Sequence, residues 1–317
     1  MKLNAAVLIL SGRPKLLKKT LKLFYKHWNN KFKYPIYIHT LGEVYSNTEQ
    51  KYFLKKYDNL YFEIVNPKVP DHIKKKDLFY NRFYNTYVYD SFNIRRLGYL
   101  HAIYLVSNIS SFGEIGSLSK KLAKYDYILK IDDDSWFRKK INFDMFKKAK
   151  NYPLATGKLT IDKREKLQYT REKMFSFLKD YIKKNNIKVA NKKLKKIFDS
   201  NDEKKLTLLP YSLGNFDLYN MKYFRSKNFK KFIRSINKFG GQYKYRWAEY
   251  DIANLYVYIF YKKAIMDFKF PESIYKSSHP KTFQINDQIN FFSRLKYLIK
   301  KRIFRMIQKI INIYEIK

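Results

Sequence analysis

Cysteine is absent from all 317 residues, which removes disulfides, cysteine-ligated zinc and a thiol nucleophile from consideration without fixing the compartment. No uninterrupted apolar run reaches the about 18 residues that a membrane-spanning helix needs. The apolar stretch Ala5–Leu10 near the start is too short for a secretory signal with its cleavage site, and it runs at once into a Gly-Arg-Pro turn. It reads as a first core strand, and the expectation is a soluble or peripherally membrane-bound protein, with the cytoplasm favoured. Glycine is scarce at 9, and Lys far outnumbers Arg among residues rich in Asn, Ile and Tyr, a bias that an AT-rich genome produces by itself. Acidic residues are few: 27 Asp+Glu stand against 67 Lys+Arg, for a formal net charge of +40.

A hydrophobic content of 45% with 19% aromatic residues supports a folded globular protein despite that charge. The charge predicts attraction to polyanions, which include nucleotide diphosphates, anionic lipid surfaces and nucleic acids. Against this basic background one run stands out, Tyr127-Ile-Leu-Lys-Ile-Asp-Asp-Asp-Ser-Trp-Phe137. It reads as an apolar strand delivering Asp132, Asp133 and Asp134 to its C-terminal end. Side chains alternate along a strand, so Asp132 and Asp134 are expected to point the same way, about 7 Å apart, where two hard oxygen ligands can share Mg²⁺ or Mn²⁺. An ion there would hold a diphosphate and neutralise the charge that grows on it as a leaving group departs. The competing reading is a solvated acidic turn that caps the next helix.

The chain opens β-α-β. Strand Ala5–Leu10 precedes a helical pattern over Lys15–Asn29, with Leu16, Leu17, Leu21, Leu23, Phe24 and Trp28 at helical spacing, and Pro35–His39 then alternates as a second strand. Leu60–Val65 reads as a third strand and Arg95–Val106 as the helix before the Asp132 strand. Such an order favours a mostly parallel central sheet flanked by helices, an α/β nucleotide-binding architecture. Residues 158–205 are highly charged and read as a helical insertion or lid within a catalytic domain spanning 1–284. Lys222–Phe239 reads as a further helix. The tail, 285–317, reads as a basic amphipathic helix over Asn286–Ile316, which either docks on the domain or lies on an anionic membrane.

Several patches occur in one order: Phe32-Lys-Tyr-Pro35, Asn215-Phe-Asp217, Tyr223-Phe-Arg-Ser226, Gly240-Gly241, Arg246-Trp247-Ala-Glu249 and His279-Pro280. Together they resemble the fungal α-1,2-mannosyltransferases (glycolipid 2-α-mannosyltransferases, glycosyltransferase family 15), whose pattern runs Phe-Asn-Tyr-Pro, Ser-Asn-Phe-Glu, Phe-Trp-Arg-Ser, Gly-Gly, Arg-Trp-Gly-Asp, His-Pro. The resemblance implies a GT-A fold, a GDP-mannose donor, Mn²⁺ and retention of anomeric configuration. It places Asp132 on a metal-site carboxylate, His279 on a metal ligand, and Asp217 on a Glu acting as nucleophile or as stabiliser of an oxocarbenium-like transition state. Arg96 matches an Arg preceding the metal strand, and Arg246 with Glu249 the Arg-Trp-Gly-Asp element. Where the family has Glu-Pro this chain has three aspartates, so Asp134 serves in addition to His279 or instead of it.

Arg95, Arg96 and Arg246 suit a diphosphate through planar bidentate contacts, although a salt bridge to Glu249 is the competing role of Arg246. The candidate site is therefore Asp217 and Glu249 for catalysis, Arg95, Arg96, Asn215, Arg246 and Trp247 for the donor, and Asp132, Asp134 and His279 for Mn²⁺ or Mg²⁺. The expected reaction moves mannose from GDP-mannose to a hydroxyl of a glycan, glycoprotein or glycolipid. Alternatives are a GT-A transferase using another nucleotide sugar, and a non-enzymatic polyanion-binding protein. Nucleic acid is the less favoured partner, because the basic residues spread over the whole chain and no nucleic-acid motif occurs.

Overall fold

A computed structural model describes residues 2–41, 44–65, 72–74, 80–81, 86–87, 121–161, 171–245 and 247–277. Arg95, Arg96, Arg246, His279, the expected helix at 95–106 and the tail helix at 286–316 lie outside the described residues.

The strands are β1 (Ala5–Ser11), β2 (Ile36–Leu41), β3 (Leu60–Val65), β4 (Tyr80–Asn81), β5 (Thr86–Tyr87), β6 (Tyr127–Asp132), β7 (Ser135–Phe137), β8 (Leu154–Thr156), β9 (Phe216–Asn220), β10 (Ile265–Asp267) and β11 (Tyr275–Ser277). Seven of them form one sheet in the order β10-β8-β9-β6-β1-β2-β3. Within it β9 alone runs against its neighbours β6 and β8, and every other pairing is parallel. This is the mostly parallel, helix-flanked α/β architecture expected. Two short antiparallel pairs, β7 with β11 and β4 with β5, form separate two-stranded sheets.

Every residue of β1 is buried, which explains its unbroken apolar sequence: a central parallel strand is covered on both faces. Alternation then divides its side chains. Ala6, Leu8 and Leu10 join Ile128, Leu154 and Tyr219 on one face, while Val7 and Ile9 join Ile36, Ile38, Leu129, Ile131 and Leu218 on the other. Leu17, Leu21 and Phe24 of the helix Pro14–Phe24 cover the second face.

The first face is covered by the helices Lys227–Phe239 and Glu249–Phe260. In the former, Phe229, Phe232, Ile233 and Ile236 recur at helical spacing and are all buried, contributing roughly 2 kcal/mol each by area removed from water. The expected single helix over 222–239 is two, Met221–Phe224 and Lys227–Phe239. Ser226 divides them, because its side chain accepts the Phe229 N–H and caps the second helix. The Glu249–Phe260 helix is apolar nearly all round and is buried nearly all round. Its first turn carries Glu249 and Asp251 into the interior, where the positive end of the helix dipole favours carboxylates.

Within 158–205 the described chain forms the helices Met174–Lys184 and Lys192–Asp199, followed by a 3₁₀ turn over Glu203–Leu208. Their lysines face water, while Met174, Phe175, Leu178, Tyr181, Leu194, Ile197 and Leu206 belong to the same core as the two covering helices. Among the described residues no helix is long and apolar enough to cross a membrane.

Candidate active site

The sheet order reverses between β1 and β6: β2 and β3 lie to one side of β1, and β6, β9, β8 and β10 to the other. In open α/β sheets ligands bind outside the carboxyl ends of strands at such a switch point. Here the two ends coincide, with Leu10 in register with Asp132. The chain leaves β1 through Ser11-Gly12-Arg13 and leaves β6 through Asp133 and Asp134. Because β6 ends at Asp132 and the chain turns, strand alternation does not set the direction of Asp134.

The three aspartates have three different surroundings. Asp133 is 1% exposed and ties the two turns together. It accepts from Ser11 Oγ at 2.9 Å, Gly12 N at 3.2 Å and Arg13 Nε at 3.0 Å. Burial pushes its carboxyl above the ordinary value, and the Arg13 guanidinium with the Ser11 and Gly12 donors pulls it back. Asp134 meets Arg13 Nη2 at 3.0 Å through Oδ2, while its Oδ1 is buried with no hydrogen-bond partner. Asp132 Oδ1 lies 3.0 Å from the ammonium of Lys130.

Lys130 is 0% exposed in the middle of β6. Its Nζ also donates to the carbonyl of Gly214 at 2.5 Å and to Glu249 Oε1 at 3.1 Å. Burial works against its charge, but the carboxylates Asp132, Glu249 and Asp217 outweigh that and hold the ammonium above its ordinary value. Burial likewise raises Glu249, opposed by Lys130. Antiparallel register sets Asp217 directly opposite Lys130 and Thr156 opposite Asp217, making a polar row across an apolar face. Asp217 is fully buried; Ser212 Oγ donates to its Oδ1 and Tyr219 OH to its Oδ2 at 3.3 Å. Burial pushes its carboxyl up to about 6, with Ser212 and Lys130 resisting.

The turn before β9 joins these two layers. Gly214 has φ +76, and a Cβ there would meet Glu249 Oε1 at 3.0 Å and Tyr250 Cβ at 3.2 Å, so only glycine brings this carbonyl to Lys130. Asn215, half-buried, uses its carbonyl to accept from Asp132 N at 3.2 Å and from Tyr275 OH at 2.9 Å. Asp132, Asn215, Asp217 and Glu249, read separately in the sequence, thus form one cluster. Trp247 stands apart from it: it is 1% exposed, stacks on Phe239 at 5.2 Å and donates its indole N–H to Glu172 O at 3.0 Å.

Among the described residues no group of three His, Cys, Asp or Glu side chains is placed to hold a metal. Two members of the expected set are present, and they fit a hard cation: both are carboxylates, and Asp134 presents a buried oxygen that nothing satisfies. β11 sets Ser277 opposite Ser135, so the described chain ends beside the aspartate turn, two residues before His279.

Arg13, Lys130, Ser212 and Tyr275 are the site residues that sequence patterns did not single out. For Lys130 a signal existed: it is the one cation in an apolar strand, and alternation sets it on the face of Asp132. Arg13 reads in the sequence only as part of the Gly-Arg-Pro turn.

An open α/β sheet with a carboxylate cluster at its switch point is the architecture of GT-A-like glycosyltransferases. Residues 1–290 match the sequence profile described as glycolipid 2-alpha-mannosyltransferase, and the chain belongs to that family. No curated protein sequence matches it. Among solved structures, the mannosyltransferase Ktr4p from S. cerevisiae superposes with a TM-score of 0.66 at 18% identity, over 87% of this chain and 71% of that one. Ktr4p has also been solved in complex with GDP. Core-mannan synthase A (CmsA/Ktr4) from Aspergillus fumigatus, in a Mn/GDP form, gives a TM-score of 0.65 at 17% identity, over 87% of this chain and 74% of that one. These likenesses establish the shared fold.

Proposed function

We propose that this chain transfers mannose from GDP-mannose to a hydroxyl of a glycan, glycoprotein or glycolipid, with retention at the anomeric carbon. The observation that carries the proposal is the carboxylate cluster at the β1/β6 switch point, inside a chain that matches the mannosyltransferase family over residues 1–290.

In this reading Asp132 and Asp134, joined by His279, hold Mn²⁺ or Mg²⁺. Such an ion, when bound, neutralises charge on the departing GDP diphosphate. Arg13 aims Asp134 and Asp133, because its guanidinium touches both carboxylates. Arg95, Arg96 and Arg246 grip the diphosphate, and Asn215 borders the sugar from the turn before β9. Asp217 lies behind that turn with both oxygens already accepting hydrogen bonds. That arrangement favours electrostatic stabilisation of the positive charge developing at the sugar over direct attack. Glu249 holds Lys130 and, through it, the Gly214 carbonyl. Trp247 contributes as packing behind the Arg246–Glu249 element. The basic tail at 286–316 is proposed as a peripheral contact with an anionic membrane, the phase in which a glycolipid acceptor resides.

Isothermal titration of GDP-mannose, GDP and UDP-sugars, with and without Mn²⁺, tests this on the native chain and on the double variant Asp132→Ala, Asp134→Ala. Mn²⁺-dependent binding of GDP and GDP-mannose that the double variant loses is expected. No nucleotide binding under any condition refutes the assignment.

A further inference from the structure

A lysine with no exposed surface in the central part of a sheet is expensive, since an unpaired buried ammonium costs several kcal/mol and an apolar residue of similar volume would fill the space. Lys130 is fully compensated, and the identity of its partners carries the inference. Its three partners are the Gly214 carbonyl and Glu249 Oε1, which accept hydrogen bonds at 2.5 and 3.1 Å, and Asp132 Oδ1, which forms an ion pair with it at 3.0 Å. They come from three separate segments: Asp132 at the end of β6, Gly214 in the turn before β9, and Glu249 at the start of the helix Glu249–Phe260.

Each segment carries part of the candidate site. The Gly214 carbonyl lies one residue before Asn215, which in turn receives the Asp132 N–H. Asp217, in register with Lys130, follows two residues after Asn215, in β9. One enclosed cation thus sets the separation between the metal-side carboxylate and the turn bordering the sugar, without itself reaching any ligand.

We propose that Lys130 is a positioning residue for mannosyl transfer, fixing Asp132 against the Gly214–Asp217 segment. This rests on the function proposed above. The geometry it maintains matters in the transition state, because displacing reacting groups by about 1 Å costs on the order of a hundredfold in rate. Removing the ammonium therefore lowers kcat far more than it weakens donor binding, which depends chiefly on the groups that hold GDP.

The test uses the full chain and the variants Lys130→Met, Lys130→Gln and Lys130→Arg. It measures the melting temperature, the Kd for GDP with Mn²⁺, and kcat and KM for GDP-mannose. The neutral variants are expected to lose about a hundredfold in kcat while KM and the GDP Kd move by no more than about threefold; Lys130→Arg, which keeps the charge, recovers part of kcat. Lys130→Gln retains a donor for the Gly214 carbonyl and carries the test if Lys130→Met does not fold. A folded neutral variant with wild-type kcat overturns the proposal. So does failure of both neutral variants to fold, which makes Lys130 a stability residue only. A wild-type chain that binds no GDP-mannose is a different failure, that of the transferase assignment itself.

Discussion

Replacing Asp217 by Asn should make the protein more stable at neutral pH while abolishing transfer. Asp217 is completely buried, and its carboxyl is pushed up from 3.8 to about 6, burial being the main cause. Between these two values the folded chain keeps a proton that the unfolded chain releases, so raising the pH costs stability across that window. The displacement of roughly two pH units, at 1.36 kcal/mol each, means that ionising Asp217 costs the fold about 3 kcal/mol by pH 7. Asn does not titrate and escapes this cost. It retains an acceptor for Ser212, and Tyr219 OH can turn to accept from its amide. For a chain of this size about 2 °C of Tm accompanies each kcal/mol, so the variant should melt about 5 °C higher relative to wild type at pH 7 than at pH 4. Calorimetry of both proteins across that range reads the difference, and a mannosyl-transfer assay alongside should show activity lost in the variant and, in the wild type, falling as pH drops through about 6. A Tm difference that stays constant with pH, or a variant that still transfers mannose, refutes the reasoning.

Three further perturbations test neighbouring parts of the structure. Gly241→Ala would place a Cβ 2.2 Å from Trp247 Cε3, against a ring already stacked on Phe239. A loss of about 3 kcal/mol is expected in a denaturant melt, and a wild-type midpoint would show that the Gly241–Trp247 contact is not close. Trp247→Phe removes the indole donor to Glu172 O and some core volume. Tm should fall by several degrees, for about 2 kcal/mol lost, with KM for GDP-mannose unchanged; a raised KM with an unchanged Tm would put Trp247 in the donor site. Arg13→Ala strips the guanidinium from Asp133 and Asp134, and because that side chain is 30% exposed the cost is about 2 kcal/mol rather than that of a buried pair. Mn²⁺ affinity measured by titration should change with it, since Asp134 loses the group that aims it.

Local pattern is enough for much of the frame. Ala5–Ser11 and Leu60–Val65 are short apolar runs that have few alternatives to a strand, and the Asp132 strand announces itself by the acids that end it. The patches from Phe32 to Pro280 carry the family together, because their shared order and spacing are distinctive where no single patch is. Where a cap decides the outcome, periodicity misleads: the run from Lys222 to Phe239 keeps a helical pattern through Ser226, yet Ser226 ends one helix and begins another. The cluster at the site is of another kind. Lys130 meets Gly214 and Glu249 across 84 and 119 residues of chain, and its pairing with Asp217 follows from an antiparallel register that only the assembled sheet sets. Composition and order could name Asp132, Asp217 and Glu249 as acids worth watching. That Asp132 and Glu249 share one ammonium opposite Asp217, and that Trp247 packs into the core instead, depends on which strands become neighbours and which faces the helices cover. No local stretch encodes that, because the contacts form only when distant segments bury their apolar faces together.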